Sequence, residues 1–169
     1  MYQRPKVKRV PKHHFETPET ASKRSSQLRR KYRIDSLDRK SLMRELDRCF
    51  SLFIRLRDRR CVLTGLQVEK RGFKMAETCG HLFPRGNMMT RFDEKLCFGL
   101  SAIKNSENED DTRVEHEHEL NQWFIRKYGM EAYEHAKVQS SMIFKLPTYR
   151  IEELIQEYKE KYQKLLDKV

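Results

Sequence analysis

Between one amphipathic helical pattern at residues 37–59 and another at the C-terminal end, the chain carries two short β-forming runs that stop at Cys79-Gly80-His81. Cys61-Val62-Leu63-Thr64 reads as a strand, Gly65 to Gly72 as a charged turn, and Phe73 to Thr78 as the returning strand, so a hairpin is predicted. His81 then sits where a strand ends and the backbone bends, and Gly80 beside it lets another group approach the main chain closely. A loop over residues 84–95, with Pro84, Gly86 and Asn87, separates this corner from the apolar run Leu96 to Ile103. Periodicity leaves that run open as strand or buried helix.

Helical spacing dominates the flanks. After Ser36, the residues Leu42, Leu46, Cys49, Phe50, Phe53, Ile54 and Arg57 recur at three and four positions, giving a helix with one apolar and one charged side. Residues 114–137 repeat the pattern with Leu120, Trp123, Phe124 and Tyr128, and Gly129 divides it into two helices. Pro147-Thr148 starts the last helix, whose Ile151, Leu154, Ile155, Tyr158, Tyr162, Leu165 and Leu166 form a stripe. That stripe either closes the core or meets a partner helix, including one from a second copy of the chain. The fold class is α+β.

Charge is distributed unevenly over the 169 residues, whose net charge is +11. Residues 1–33 hold eleven Lys and Arg against Glu16 and Glu19, a net of +9, which leaves +2 for residues 34–169. With Pro5, Pro11, Pro18 and a Ser/Thr cluster at 20–26, residues 1–33 read as a basic disordered tail. A polyanionic backbone is the natural partner for such a tail, with Arg29, Arg30 and Lys31 among the phosphate contacts. Arg55, Arg57, Arg59 and Arg60 suit the negative end of the first helix and also offer DNA a basic face. Residues 34–138 form the expected domain, and residues 139–169 a linker with the C-terminal amphipathic helix.

No apolar run reaches the roughly 18 residues of a membrane span, and no secretion signal is visible at the N-terminus. Cys49, Cys61, Cys79 and Cys97 stand far apart without a Cys-x-x-Cys pair, so four free thiols and an intracellular, reducing compartment are expected.

Two polar residues of the hairpin region have the chemistry for phosphodiester hydrolysis. A neutral imidazole can take a proton from water near neutral pH, which makes His81 a candidate base. The side-chain oxygen of Asn105 can ligate a hard divalent cation. A loop and a turn separate them, and a hairpin followed by a helix can bring both to one phosphate. His116-Glu117-His118-Glu119 is read as a solvated helix start, because alternate residues do not share a helix face. Glu107, Glu109, Asp110 and Asp111 are read as a solvated acidic loop.

The residues also form an ordered set of phrases: Phe50-Ser51-Leu52-Phe53-Ile54-Arg55-Leu56-Arg57-Asp58, Gly80-His81-Leu82, Arg85, Thr90-Arg91-Phe92-Asp93-Glu94, Asn105 and Lys127-Tyr128-Gly129. From Phe50 to about Glu134, roughly half the chain, this set resembles the phage NinG family of recombination endonucleases, also called Rap. The resemblance implies a ββα-metal, HNH-like core between a leading helix and a helical C-terminal half. It further implies His81 as general base, Asn105 as ligand of Mg2+ or Mn2+, and Arg85 or Arg91 as phosphate contacts. The expected activity is metal-dependent cutting of DNA, in branched or recombining form, in the host cytoplasm if the gene is a phage's. The family's four zinc cysteines fall here on Cys61, Thr64, Ser101 and Lys104, and its asparagine before the second knuckle on Leu96. A tetrahedral thiolate site cannot be built from these residues, so no structural zinc is expected. These departures keep a second reading open, a DNA-binding accessory protein without catalysis.

Overall fold

The computed structural model describes residues 18–32, 38–70, 72–106 and 112–168, with only helical backbone at 18, 28–32, 106 and 112–116. Among these the order is α1 (Pro18–Tyr32), α2 (Arg39–Asp58), β1 (Val68–Lys70), β2 (Phe73–Met75), β3 (Thr78–His81), β4 (Cys97–Leu100), α3 (Ala102–Ser106), α4 (Thr112–Tyr128), α5 (Met130–Ser140) and α6 (Thr148–Leu166). Strands pair as two antiparallel ribbons, β1 with β2 and β3 with β4. The architecture is α+β. No helix among the described residues is long and apolar enough to cross a membrane.

α2 is the central helix. Asp38 caps it, its carboxylate accepting the Ser41 N–H at 2.7 Å. It ends where Arg59 turns into the left-handed region at φ 61° and returns its N–H to the Arg55 carbonyl. The stripe of Leu42, Leu46, Cys49, Phe50, Phe53 and Ile54 packs against Ile151, Leu154, Ile155 and Tyr158 of α6. The edge of the Phe50 ring meets that of Tyr158 with centroids 4.8 Å apart, and the Tyr158 hydroxyl donates to the Phe92 carbonyl at 3.1 Å. The C-terminal helix therefore closes the main core, and the expected division at residue 139 falls within one packed cluster. A second cluster joins Leu82, Leu96 and Phe98 of the hairpin region to Leu120 and Phe124 of α4 and Ala136 of α5.

Two expectations need correction. The hairpin 61–64/73–78 does not form. Cys61 accepts hydrogen bonds instead: its carbonyl from the Gly65 N–H at 2.9 Å and its sulfur from the Thr64 N–H at 3.4 Å. This closes residues 61–65 into a tight turn, with Gly65 at φ 74°. β2 pairs instead with Val68–Lys70, which lie in the expected turn, and β3 pairs with β4 across the loop 82–96. Leu96 to Ile103, left open by periodicity, divides into β4 and the start of α3.

The second correction concerns the tail. Residues 18–32 are helical and pack on α6, where the Ser25 hydroxyl donates to Glu152 at 2.5 Å and Arg24 pairs with Glu153. Pro18, read as a mark of disorder, stands at the first helical position, where its missing N–H costs no hydrogen bond. Arg24 finds a carboxylate there, which offsets the basic character that argues for a free tail. Residues 1–17 and 33–37 lie outside the described residues, as do Glu107, Glu109, Asp110 and Asp111.

Phe50 is 1% exposed between α2, α6 and Phe92, so truncation to alanine leaves a cavity no neighbour can fill. Phe50→Ala is expected to lower unfolding free energy by about 3–5 kcal/mol. Urea titration checks this, and an unchanged midpoint would mean the α2–α6 contact is not the core.

Candidate active site

The pairing of β3 with β4 sets Thr78 opposite Leu100, Cys79 opposite Gly99, Gly80 opposite Phe98 and His81 opposite Cys97. His81 is thus the last paired residue of its strand. α3 begins directly after β4 and folds Asn105 back over Gly80. A Cβ at Gly80 would lie 2.9 Å from Leu100 Cγ and 3.4 Å from Asn105 Oδ1, so the absence of a side chain there permits the approach. His81 and Asn105 consequently line one cleft of about 560 Å3, with Arg85, Glu117, Asn121 and Tyr133 also in its wall. The structure thus brings His81, Asn105 and Arg85 to one cleft.

The imidazole is half-buried, and its pKa is pushed down to about 4. Burial is the largest cause, followed by the positive charges of Arg85 and Arg91; Asp47 and a hydrogen bond to the Arg91 carbonyl act in the opposite sense. The same carbonyl also accepts from the Cys97 thiol at 3.5 Å. Behind the ring lies a small cavity of about 60 Å3, lined by Asp47, Phe50, Ser51, Cys79, His81 and Arg85.

The arginines divide by what they hold. Arg91 grips Asp47 with two parallel hydrogen bonds of 3.0 and 2.6 Å and lies over the Phe92 ring. Arg85 pairs with the same carboxylate at 2.9 Å, yet its side chain is 56% exposed at the mouth of the cleft. Arg85 is therefore the guanidinium free to turn toward a ligand, whereas Arg91 anchors the loop to α2. Arg57 is turned inward: it pairs with Asp58 at 2.7 Å and donates to the carbonyls of Glu94 and Cys97 at 2.6 and 2.9 Å. This corrects its reading as a DNA contact, because four of its donations go to the protein. Arg29, Arg30 and Lys31 lie in the helical span of α1, with their side chains outside the described residues.

Three residues that sequence reasoning missed shape the site. Asp47 clasps both loop arginines; its signal is an acid standing beside the apolar stripe of α2. Asn87 orders the loop by accepting the Met89 N–H at 3.0 Å and donating to the Ser140 carbonyl, and its place after Gly86 marks a side-chain-stabilised turn. Glu117 brings a carboxylate to the cleft from α4.

The cleft thus offers an imidazole nitrogen, an amide oxygen and one carboxylate. Magnesium and manganese sites commonly use one or two carboxylates and complete their shell with water and phosphate oxygen, and this donor set meets that minimum. Among the described residues, no group of three His, Cys, Asp or Glu side chains is placed to hold a metal ion. The positions of the four expected zinc ligands do converge. Burial pushes the Cys61 thiol up, but hydrogen bonds from Thr64, Leu63 and Ser101 outweigh it and leave the thiol below its ordinary value. The Lys104 N–H donates to Ser101 Oγ at 3.4 Å. Main-chain and hydroxyl groups hold this corner with a single thiol.

No protein-family model, curated protein or solved structure matches the chain. The resemblance to NinG rests on the motifs alone.

Because the folded-state pKa of His81 lies below its ordinary 6.5, the unfolded chain binds the extra proton as pH falls. Stability from this residue is full above pH 6.5 and decreases between there and about pH 4, by up to about 3 kcal/mol. Denaturant titrations of wild type and His81→Asn across this range test the point. Parallel pH profiles would exclude His81 as their cause.

Proposed function

We propose that the cleft hydrolyses a phosphodiester of DNA with the help of magnesium or manganese. The carrying observation is a half-buried imidazole, its pKa pushed down chiefly by burial, in one cleft with Asn105 and the exposed Arg85. In this reading a ring nitrogen of His81 takes a proton from water, the water oxygen attacks phosphorus, and the bond to the leaving oxygen breaks. The leaving oxygen takes up a proton from solvent, and the imidazolium gives its own proton back to solvent. Arg85 exchanges Asp47 for a phosphate oxygen, while Arg91 keeps Asp47 and the loop in place. Asn105 and Glu117 are the side chains that would hold the cation, which when bound supplies charge neutralisation at the phosphate and leaving oxygen. Action on branched or recombining DNA follows from the resemblance to NinG and belongs to this proposal.

A second reading, DNA binding without cutting, has its own support. Arg85 and Arg91 make the surroundings of His81 positive enough to depress its pKa, and that field favours a phosphate over a cation.

Cleavage of labelled four-way and linear duplex DNA with magnesium or manganese separates the two. Under the first reading His81→Ala slows cutting by about 10²–10⁴-fold with binding retained, and Arg85→Ala weakens binding. For the wild type, kcat/KM should hold steady near neutrality and decline as pH drops toward about 4, the value of the free protein. Tight, salt-sensitive binding with no cutting by either protein would establish the second reading.

A further inference from the structure

Ser51 borders two cavities. One is the small space behind His81, and the other is a groove of about 300 Å3 lined by Arg48, Ser51, Leu52, Arg55, Lys70, Met75 and Tyr162. The groove is lined from α2, the β1–β2 ribbon and α6. Its lining combines cations with two apolar side chains and a tyrosine ring, the kinds of group by which single-stranded nucleic acid is held: phosphate on cations, base on an aromatic face.

The charges bear this out in detail. Arg48 is 59% exposed and forks onto Glu45 at 2.7 and 2.8 Å, but Lys159 reaches the same carboxylate at 3.0 Å. Glu45 therefore keeps a cation when Arg48 turns to another anion. Lys70 is exposed and makes no ion pair among the described residues; Glu69, on the same strand, and Lys74, its register partner, are exposed beside it. Arg55 is tied to the Ala76 carbonyl at 3.0 Å and to Met75 sulfur, so it contributes charge while shaping the wall. From Asp47 to Arg55 the helix rises about 12 Å, so the groove and the cleft lie within reach of one short stretch of strand.

We propose that the groove between α2, the β1–β2 ribbon and α6 binds an unpaired nucleotide of the strand whose phosphate lies at His81, its base against Tyr162 and its phosphate on Arg48 and Lys70. The assignment rests on the reading of the His81 cleft as a phosphodiester site. An unpaired base is specified because a base stacked within a duplex has no free face for Tyr162.

The test is fluorescence anisotropy with a labelled oligothymidylate and with a blunt duplex of equal length, across a salt series. Tyr162→Leu keeps an apolar side chain against the core, and Lys70→Ala alters only an exposed cation. Single-strand affinity should fall about tenfold in Tyr162→Leu, with duplex affinity unchanged. In Lys70→Ala the slope of log affinity against log salt should flatten by about 0.7. Wild-type single-strand binding in both variants would overturn the groove, as would displacement of the oligonucleotide by polyglutamate of equal charge. His81→Ala, assayed beside them, keeps the two ideas apart. Cutting that depends on His81 while Tyr162→Leu binds normally removes the groove and keeps the cleft. Binding that depends on Tyr162 without any cutting keeps the groove and removes hydrolysis.

Discussion

One ion pair at the end of α2 sets the position of nearly everything else. Arg57 and Asp58 face each other at 2.7 Å, and both reach past each other to the backbone of the hairpin unit. Arg57 donates to the carbonyls of Glu94 and Cys97, while Asp58 accepts the Gly99 N–H at 2.7 Å. The clasp closes because residue 99 is glycine: a Cβ there would lie 3.1 Å from Asp58 Cβ and 3.0 Å from the Arg60 carbonyl. β4 is thereby fixed against the helix, β3 is fixed by its pairing with β4, and His81 ends where β3 ends. Charges in such a half-buried place cost desolvation, and they are tolerable here because each oxygen and most N–H groups have a partner. Removing either partner would leave the other charge uncompensated beside the hairpin.

A second fixed point stands one helical span away. Asp47 takes Arg91 and Arg85 from the loop 82–96, and with His81 and Arg85 it lines the small cavity beside the imidazole. α2 therefore meets the hairpin unit at two levels, at its C-terminal end by Asp58 and Arg57 near Gly99 and at its middle by Asp47 near His81. The adjoining apolar stripe is covered by α6, and Phe50 of that stripe also borders the cavity beside His81. One helix is both core wall and site scaffold, so the geometry of the cleft depends on the same burial that holds the protein folded.

The helices were legible because their information is local. Periodicity gave α2, α4, α5 and α6 within a few residues, and Gly129 marked the break between α4 and α5. His81 at a strand end was legible for the same reason, since Gly80 signals close approach whichever strand pairs with it. Strand pairing was not, because Val68–Lys70 and Cys61–Thr64 are both short and the choice lies in hydrogen bonds from Thr64 and Gly65 to Cys61. α1 was hidden by composition: its basic side chains argue against burial until the carboxylates of Glu152 and Glu153 are seen opposite them. Arg57 and Arg85 look alike in sequence, and only the carbonyls around Arg57 reveal that it faces inward.

The electrostatics of the cleft tie its two readings together. A base held near pKa 4 is unprotonated at neutral pH but accepts a proton weakly, which by itself disfavours general-base chemistry. The depression comes from burial together with Arg85 and Arg91, and a phosphate drawn into the cleft would neutralise part of that charge. Binding would then raise the basicity of His81 when a water beside the phosphate needs a proton acceptor. A cation held by Asn105 and Glu117 would act in the reverse sense, lowering the basicity of the imidazole. If the cleft takes a phosphate as proposed, the same cations that draw it in keep His81 a weak base until it is bound.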